Sequence, residues 1–254
     1  MFNSPLVSVI MPAYNAEKFI TEAIQSVQNQ VFEKWEMIVV DDASTDKTVG
    51  IVRDIMATDS RIHILINEKN IGQGLTRNKA IEVAKGRYIA FLDSDDLWAP
   101  NKLEKQLAIL NSTGAAMTHT SYGYIDVNGQ LIKEPLRVST LPIGYNYLLK
   151  RTEIGCLTAI YDTNIVGKKY MPDLPRSQDY ALWLSILREG HVSASIDEVL
   201  AFYRIHDNNI SKNKWKKIPY HWIVLRKYEQ LNFFKSIYFM VMWATRGVSR
   251  FFLK

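Results

Sequence analysis

The first hundred residues alternate between short uninterrupted apolar runs and longer segments in which apolar residues recur every three or four positions. Uninterrupted runs of this length predict buried strands, and the wider spacing predicts helices. The predicted strands cover residues 7–11, 35–40, 61–66 and 88–92. Strand–helix alternation predicts a mainly parallel sheet with helices on both faces, so the fold class is expected to be α/β and Rossmann-like.

The second half of the chain has a less regular pattern. Residues 115–122 and 124–132 are predicted to be strands around the hairpin turn Asn128-Gly129. Further strands are predicted at 155–161 and 199–205. Helices are predicted at 100–110 and 177–187, and two more within 215–254. We therefore expect one α/β domain over 1–210, regular over 1–98 and less regular over 99–210, followed by a helical tail over 211–254.

Polar side chains follow three of the predicted strands where each strand ends. Tyr14 and Asn15 follow the first strand, and Asp41 and Asp42 follow the second. The fourth is followed by three acids in four positions: Asp93, Asp95 and Asp96. Because parallel strands end side by side at one edge, and ligands bind there in open α/β sheets, these groups should converge on one crevice.

Three carboxylates this close repel one another unless a positive charge lies between them. A divalent cation with oxygen ligands, bridging to phosphates, would satisfy them. The alternative is that Asp95 or Asp96 caps the following helix, which explains one acid but not three. The cluster therefore favours a site for a cation and a diphosphate.

Composition narrows the class of protein. The chain has 254 residues, of which 47% are hydrophobic, enough for one sizeable domain with a small appendage. Its one cysteine, Cys156, permits no internal disulfide and fits a reducing cytosol. The sequence shows no signal-peptide pattern and no apolar run long enough to cross a bilayer. These features predict a cytoplasmic protein.

Charge is distributed unevenly along the chain. The net charge is +5. Residues 211–254 contain ten Lys or Arg and one acid, which is +9, so residues 1–210 carry 21 basic and 25 acidic side chains, or −4. At 100° per residue, Asn232, Lys235, Ser236, Arg246 and Arg250 share one helical face, opposite a face rich in aromatic and aliphatic residues.

A basic amphipathic helix of this kind is typical of a segment that lies in a membrane interface. We therefore expect peripheral attachment at the inner face of the cell membrane, and no nucleic acid partner. The alternative is a helix packed on the catalytic domain or in a dimer.

Six motifs in order resemble those of the inverting, nucleotide-sugar-dependent glycosyltransferases of family 2, which have a GT-A fold and serve bacterial surface-polysaccharide synthesis. The resemblance covers roughly residues 5–210 and implies a catalytic domain over 1–210, with a nucleotide-sugar-binding half at 1–98 and an acceptor half at 99–210. The motifs are Val9-Ile-Met-Pro12-Ala-Tyr14-Asn15, Val39-Val-Asp41-Asp42-Ala-Ser-Thr-Asp46, Asn70-Ile-Gly72 with Arg77-Asn78, Phe91-Leu-Asp93-Ser94-Asp95-Asp96, Gln178-Asp179-Tyr-Ala-Leu-Trp183 and Tyr203-Arg204-Ile-His206.

The resemblance implies a role for each site residue. Pro12, Tyr14, Asn15 and Asp41 would line the nucleoside pocket of a UDP-sugar donor, and Arg77 would lie over the base or reach the diphosphate. Asp93 and Ser94 would contribute to the donor site, with Asp93 on the ribose. Asp95 would ligate Mn²⁺ or Mg²⁺, and His206 would be a further ligand or a diphosphate contact. Asp179 would be the catalytic base, although the family often has Glu where Gln178 stands.

The chemistry itself calls for two separated acids. A bound cation stabilises the charge that builds on a departing nucleoside diphosphate. A carboxylate on the opposite face takes the proton of the attacking hydroxyl. One displacement of this kind inverts the anomeric carbon. The acceptor is expected to be a glycan, most simply a lipid-linked one, because such an acceptor stays at the bilayer.

Each residue also has a plainer interpretation. Asp41 and Asp42 could begin a turn, Arg77 could be a surface charge, and His206 could be structural. Asp179 could act only as a favourable charge at a helix start. Two alternative functions also remain. A nucleotidyltransferase would need a Gly-rich triphosphate loop that residues 12–15 do not supply, and a non-catalytic assembly subunit would bind sugar nucleotides without turnover.

Overall fold

The computed structural model describes residues 5–207 and 215–252. Within them lies a curled nine-stranded sheet with helices on its faces, which confirms the expected α/β class. The strands, in chain order, are β1 Val7–Ala13, β2 Trp35–Asp41, β3 Ile62–Ile66, β4 Tyr88–Phe91, β5 Leu97–Trp98, β6 Met117–Ile125, β7 Leu131–Leu136, β8 Ile160–Asp162 and β9 Ser193–Arg204.

The helices alternate with the strands through the first half of the chain and lie at intervals after it. The structure contains α1 Ile20–Gln28, α2 Thr48–Met56, α3 Gln73–Val83, α4 Lys102–Thr113, α5 Tyr145–Leu148, α6 Thr163–Val166, α7 Gln178–Arg188, α8 Ile218–Ile223 and α9 Phe233–Phe252. One turn of 3₁₀ helix covers Cys156–Thr158, and a π-helical turn, Val224–Tyr228, continues α8. None of the described helices is both long and apolar enough to span a bilayer.

Strand order divides the sheet into two halves. The order is β3-β2-β1-β4-β8-β6-β9-β5, with β7 pairing β6 at the side. The neighbours from β3 to β4 are all parallel. Beyond β4 the sheet is mixed, because β8 runs antiparallel to both β4 and β6, while β6 and β9 are parallel. Residues 1–98 thus contain the regular, parallel half of the sheet, as the alternating pattern predicted.

Several predicted boundaries are wrong. The first strand does not stop before Pro12 but continues to Ala13, paired with β2. The hairpin after β6 turns at Gly129, whose φ is +78°, but Tyr124 and Ile125 belong to the strand before the turn. Residues 156–158 form a 3₁₀ turn rather than a strand. The short strand β5 was not predicted, because its two residues are extended through pairing with β9, more than 100 positions along the chain.

The core lies on both faces of the sheet. On one face, α7 buries Trp183, whose ring meets Phe91 of β4 edge-on at 5.4 Å between centroids. The same cluster contains Val224 and Leu225, which are fully buried. These two residues of the predicted tail are therefore part of the hydrophobic core. Residues 211–214 and 253–254 of that tail lie outside the described residues, as do the side chains of Arg246 and Arg250.

Candidate active site

The ends of β1 and β2 are tied together by hydrogen bonds. Asp42 donates its backbone N–H to the carbonyl of Ala13, at 2.7 Å. Asn15 has φ +48°, and its backbone N–H donates to Ser44 Oγ at 2.9 Å. Its Oδ1 accepts from the backbone N–H of Thr45, also at 2.9 Å. Two of the predicted polar groups are therefore brought together at one edge of the sheet.

Asp41 is fully buried at this edge. Its Oδ2 accepts from the backbone N–H of Ser44 at 2.9 Å, whereas its Oδ1 has no hydrogen-bond partner within the described part of the chain. A buried polar atom without a partner is costly, and such atoms are rare outside functional sites. Pro12 is buried on the neighbouring strand β1, opposite Val40, and Tyr14 is 52% exposed. This combination suits a base or ribose that supplies the missing donor.

Asp42 has a different task from its neighbour. It accepts hydrogen bonds from Asn67 Nδ2 and from the backbone N–H groups of Ile71 and Gly72, at 2.8 to 2.9 Å. These bonds hold the loop that leads into α3, where Gly72 takes φ +86°, a conformation favourable only for glycine. Asp42 therefore fixes the conformation of the loop that leads into α3. Only its place beside Asp41 could have drawn attention to it.

Arg77 is buried against Asp93. Its side chain is only 3% exposed and donates from Nη2 to Asp93 Oδ1 at 2.5 Å. That Arg77 lies over the base or reaches the diphosphate stays a prediction. Burial raises the pKa of Asp93; the Arg77 charge opposes this effect, and the charges of Asp95 and Asp179 add to it.

Asp95 and His206 come together across 111 positions of sequence. His206 Nε2 lies 2.8 Å from Asp95 Oδ2, and the two side chains are 16% and 28% exposed. The ring of Phe19 lies against that of His206, with 5.1 Å between centroids. A carboxylate and an imidazole are suitable donors for Mn²⁺. No group of three or more His, Cys, Asp or Glu residues in the described ranges could hold a metal, so the remaining ligands would come from diphosphate and water.

Arg204 organises the segment that carries Asp95. Its guanidinium is fully buried and donates from Nε to the carbonyl oxygen of Asp95 at 2.8 Å and from Nη2 to Glu22 Oε2 at 2.6 Å. Nη1 donates to the carbonyls of residues 126 and 127. The backbone N–H of Arg204 donates to Asp96 Oδ1 at 2.9 Å. The sequence marked Arg204 as part of a motif but did not predict this role.

Asp96 is the third acid of the cluster and faces inward. It is 1% exposed, and burial raises its pKa well above its ordinary value, with the charges of Asp95 and Asp93 adding to the effect. Ser94 is partly buried between Asp93 and Asp95. The three acids therefore divide: Asp93 pairs with Arg77, Asp95 with His206, and Asp96 with the backbone of Arg204.

Asp179 lies in the first turn of α7 and is partly exposed. Ser177 precedes the helix with φ +62° and makes no side-chain cap. Among the described residues, none donates a hydrogen bond to the Asp179 carboxylate, and its place in the first turn also fits the plainer interpretation of a favourable charge at a helix start. Its charge reaches both Asp93 and Cys156, because it raises the pKa of each after the larger effect of burial. Asp179 therefore faces the same region as the donor-side acids.

The fold by itself, without regard to sequence identity, resembles that of solved GT-A glycosyltransferases. TarS 1–349 of S. aureus, solved in complex with UDP-GlcNAc, superposes with a TM-score of 0.74 at 22% identity, covering 96% of this chain and 72% of that one. PcManGT from Pyrobaculum calidifontis, solved with GDP-Man and Mn²⁺, gives 0.65 at 21% identity, covering 87% and 64%. The fold is therefore GT-A.

Residues 8–171 match the model of glycosyl transferase family 2, and the chain belongs to that family. It is 42% identical over 246 residues to TuaG of Bacillus subtilis, whose name assigns it to teichuronic acid biosynthesis, with 97% of each chain covered. It is 38% identical to WfgD of Escherichia coli, named as a UDP-Glc:α-D-GlcNAc-diphosphoundecaprenol β-1,3-glucosyltransferase, over 96% and 94% of the two chains. The protein is thus a glycosyltransferase, and the nucleotidyltransferase alternative falls away.

Proposed function

We propose that this glycosyltransferase moves one sugar from a UDP-sugar to a hydroxyl of a lipid-linked glycan during surface-polysaccharide synthesis, with inversion at the anomeric carbon. The single observation that carries the proposal is the pairing of Asp95 with His206 beside Asp93, which also senses the charge of Asp179, in a family 2 chain. The names of TuaG and WfgD support a surface-polysaccharide product and a diphosphoundecaprenol acceptor.

The nucleoside is proposed to sit at the ends of β1 and β2. Asp41 Oδ1 would accept from the N–H of uracil or from a ribose hydroxyl, which removes the cost of its missing partner. The exposed ring of Tyr14 would pack against the base. Arg77 is assigned here to holding Asp93. Asp93 then keeps its second oxygen for the ribose.

Asp95 and His206 would hold a divalent cation, Mn²⁺ or Mg²⁺, on the donor diphosphate. When bound, the cation stabilises the negative charge of the departing nucleoside diphosphate. Arg204 fixes the carbonyl of Asp95 and thereby the direction of its side chain. Ligands held this way need little rearrangement as the cation binds.

Asp179 would remove the proton from the attacking acceptor hydroxyl. Its carboxylate has no hydrogen-bond donor among the residues that the structure describes, so both oxygens remain available to a hydroxyl. Because Asp179 lies on α7 and not on the loop after β4, we propose that it approaches the sugar from the side opposite the departing diphosphate. One in-line displacement follows, and it inverts the anomeric centre.

Membrane attachment is proposed to occur through one face of α9. Phe233, Phe234, Ile237, Tyr238 and Val241 are between 41% and 81% exposed. Because these positions fall within one broad face of the helix, they form an apolar surface with Lys235 beside it. Such a surface, next to a basic side chain, suits an anionic bilayer. The opposite face, with Ser236 fully buried, packs on the body, which corrects the expectation that Ser236 shares the outer polar face.

A transfer assay tests the proposal. Purified protein with Mn²⁺ is offered a panel of UDP-sugars and GlcNAc-diphosphoundecaprenol in anionic vesicles, and the product is analysed for anomeric configuration. We expect transfer from one UDP-sugar with inversion, and none from Asp179→Asn. Retention of configuration would refute the single-displacement mechanism. UDP-sugar binding with neither transfer nor hydrolysis under any condition would instead support the non-catalytic alternative.

A further inference from the structure

A groove of about 590 Å³ separates α5 from α9, on the same side of the molecule as the exposed face of α9. Its lining is mostly aromatic and aliphatic, with Leu149 fully buried and Phe234 81% exposed. The apolar lining residues are Tyr145, Leu149, Leu231, Phe234, Tyr238 and Phe239. In the described part of the chain this apolar groove is open to solvent. Covering its surface with an apolar ligand would be favourable in free energy.

The walls of the groove are held by buried polar contacts. Tyr145 donates its hydroxyl to Glu229 Oε2 at 2.7 Å, and Arg188 Nη1 lies 3.4 Å from the same oxygen. The Glu229 side chain is 1% exposed. α5 is thus fixed to the segment that precedes α9, so the groove is preformed and need not open by separating loosely packed helices.

We infer that this groove binds the polyisoprenoid chain of a diphosphate-linked glycan acceptor, an inference that rests on the lipid-linked acceptor proposed above. Two of its lining residues, Phe234 and Tyr238, also belong to the exposed face of α9. The groove is therefore continuous with the surface proposed to meet the bilayer. A chain can pass from the bilayer into the groove without its apolar surface crossing water.

The two polar lining residues have the charge and hydrogen-bonding capacity that suit this ligand. Lys235 carries a positive charge and Asn146 an amide, and both line an otherwise apolar groove. A diphosphate at the end of a hydrocarbon chain requires this combination: an apolar channel with a cation at its edge. A second copy of the protein offers less, because its own α9 face also carries Lys235 and would bring like charges together in a two-fold contact.

The groove also leads towards the proposed base. Leu149, on its floor, is adjacent to Leu148, whose carbonyl accepts a hydrogen bond from the Tyr180 hydroxyl at 3.3 Å. Tyr180 follows Asp179 in the first turn of α7. The floor of the groove therefore packs against the first turn of α7, the element that carries Asp179.

Farnesyl diphosphate is a suitable soluble probe because it combines a branched isoprenoid chain with a diphosphate. Calorimetry with the full chain, without vesicles and with the nucleotide site saturated by UDP and Mn²⁺, should show binding at least tenfold tighter than that of inorganic diphosphate. Leu149→Trp, which fills the floor, should weaken this binding at least tenfold. Phe234→Ser, at an exposed position where folding is not at risk, should weaken it severalfold. Leu131→Trp on the exposed β6–β7 hairpin is the matched control and should bind as the wild type does.

Three results would overturn the inference: farnesyl diphosphate binding no tighter than inorganic diphosphate, unchanged binding in both groove variants, or a dimer in sedimentation that Phe234→Ser dissociates. UDP affinity is measured on the same samples. If UDP binds normally while farnesyl diphosphate does not, the groove inference alone fails. If farnesyl diphosphate binds in the groove but no sugar is transferred in the assay above, the proposed function alone fails.

Discussion

The proposed donor side and the proposed acceptor side of the site differ in how firmly the protein holds their acidic side chains. On the donor side, Asp41, Asp42 and Asp93 each accept at least one hydrogen bond from the protein, and Asp95 is paired with His206. On the acceptor side, Asp179 accepts none within the described residues. The difference follows from the sheet, because parallel strands β1, β2 and β4 present their ends in a fixed register, whereas Asp179 begins a helix after an irregular segment.

This difference suggests a division of labour. A rigid, hydrogen-bonded pocket suits the binding of a nucleotide-sugar donor, because it loses little entropy when the donor binds. A base must instead keep its oxygens available for a proton that arrives with the acceptor. We therefore expect donor-side substitutions to act mainly on binding, and acceptor-side substitutions mainly on turnover.

The largest effect is expected from Asp179→Asn. Asn preserves the shape of Asp but cannot accept the acceptor's proton, and removing a general base typically costs about 10²- to 10⁴-fold in rate. The loss should appear in kcat with donor KM nearly unchanged. Steady-state kinetics measures both, and UDP affinity is the control for folding. Wild-type turnover would mean that the base is another acid of the acceptor half.

Asp95→Ala should act on the proposed donor side, where it should weaken binding of the cation and of UDP. Without this carboxylate the cation loses a ligand, so Mn²⁺-dependent UDP affinity should fall on the order of 100-fold. Calorimetry with and without Mn²⁺ separates this loss from any change in metal-free binding. Ser94→Ala, one position away, is the matched control and should lose far less. Unchanged Mn²⁺-dependent affinity in Asp95→Ala would show that the cation is bound elsewhere.

Arg204→Lys tests whether donor-side rigidity matters. Lys keeps a buried positive charge but cannot reproduce the fork that reaches both the Asp95 carbonyl and Glu22. Supporting residues around a metal typically contribute about 10- to 100-fold. The half-saturating Mn²⁺ concentration should therefore rise about tenfold, with metal-free UDP binding retained. Loss of both together would indicate a purely structural role for Arg204.

The exposed face of α9 gives a smaller effect that does not involve the crevice. Ile237→Asp with Val241→Asp should reduce binding to anionic vesicles about tenfold or more, because two apolar anchors become charges that the lipid repels. UDP affinity should not change. This pair of substitutions is a sharper test than removing residues 215–254, since Val224 and Leu225 belong to the core. Vesicle binding equal to the wild type would exclude this face as the membrane contact.

The smallest expected effect is a gain of stability in Lys102→Met. Lys102 is fully buried 3.9 Å above the Trp98 ring, and its Nζ has no hydrogen-bond partner among the described residues. Burial lowers its pKa well below 10.5, so the unfolded chain binds more protons. Wild-type stability should therefore rise with pH up to about the unfolded pKa, ~10.4.

The Lys102→Met variant should be more stable than the wild type near neutrality, by about 1 kcal/mol or more, and this advantage should shrink as the pH rises. Denaturant unfolding at several pH values measures it, and a constant difference would contradict the assignment.

Much of the donor half could be predicted from sequence because its physics is local. Four apolar runs become β1 to β4, and parallel pairing brings their polar ends to one edge. Hence the convergence of Asn15, Asp41 and the Asp93–Asp96 cluster was expected before the fold was seen. The pairing of Asp95 with His206 was expected only through the family resemblance, since 111 positions separate the two residues.

Other features could not be predicted from the sequence because they depend on contacts between residues far apart in the chain. Nothing in the composition of residues 97–98 marks β5, which exists because β9 runs beside it. Arg77 and Arg204 carry charges that a sequence pattern assigns to solvent, yet both are buried by partners far along the chain. The inward face of α9 likewise depends on what lies beneath it: Ser236 is polar but buried, while Phe234 is apolar and exposed.

By itself, the amino-acid sequence determined the α/β class, the order of the motifs, the acids at the strand ends and the amphipathic character of the last helix. These depend on hydrophobic periodicity and on the geometry of parallel strands, which act over a few residues. Only the tertiary structure decided which charge pairs with which, which face of α9 stays open, and that a groove lies between α5 and α9. Burial and partner choice are properties of the whole packed chain, because the cost of a buried charge or an exposed ring depends on what surrounds it.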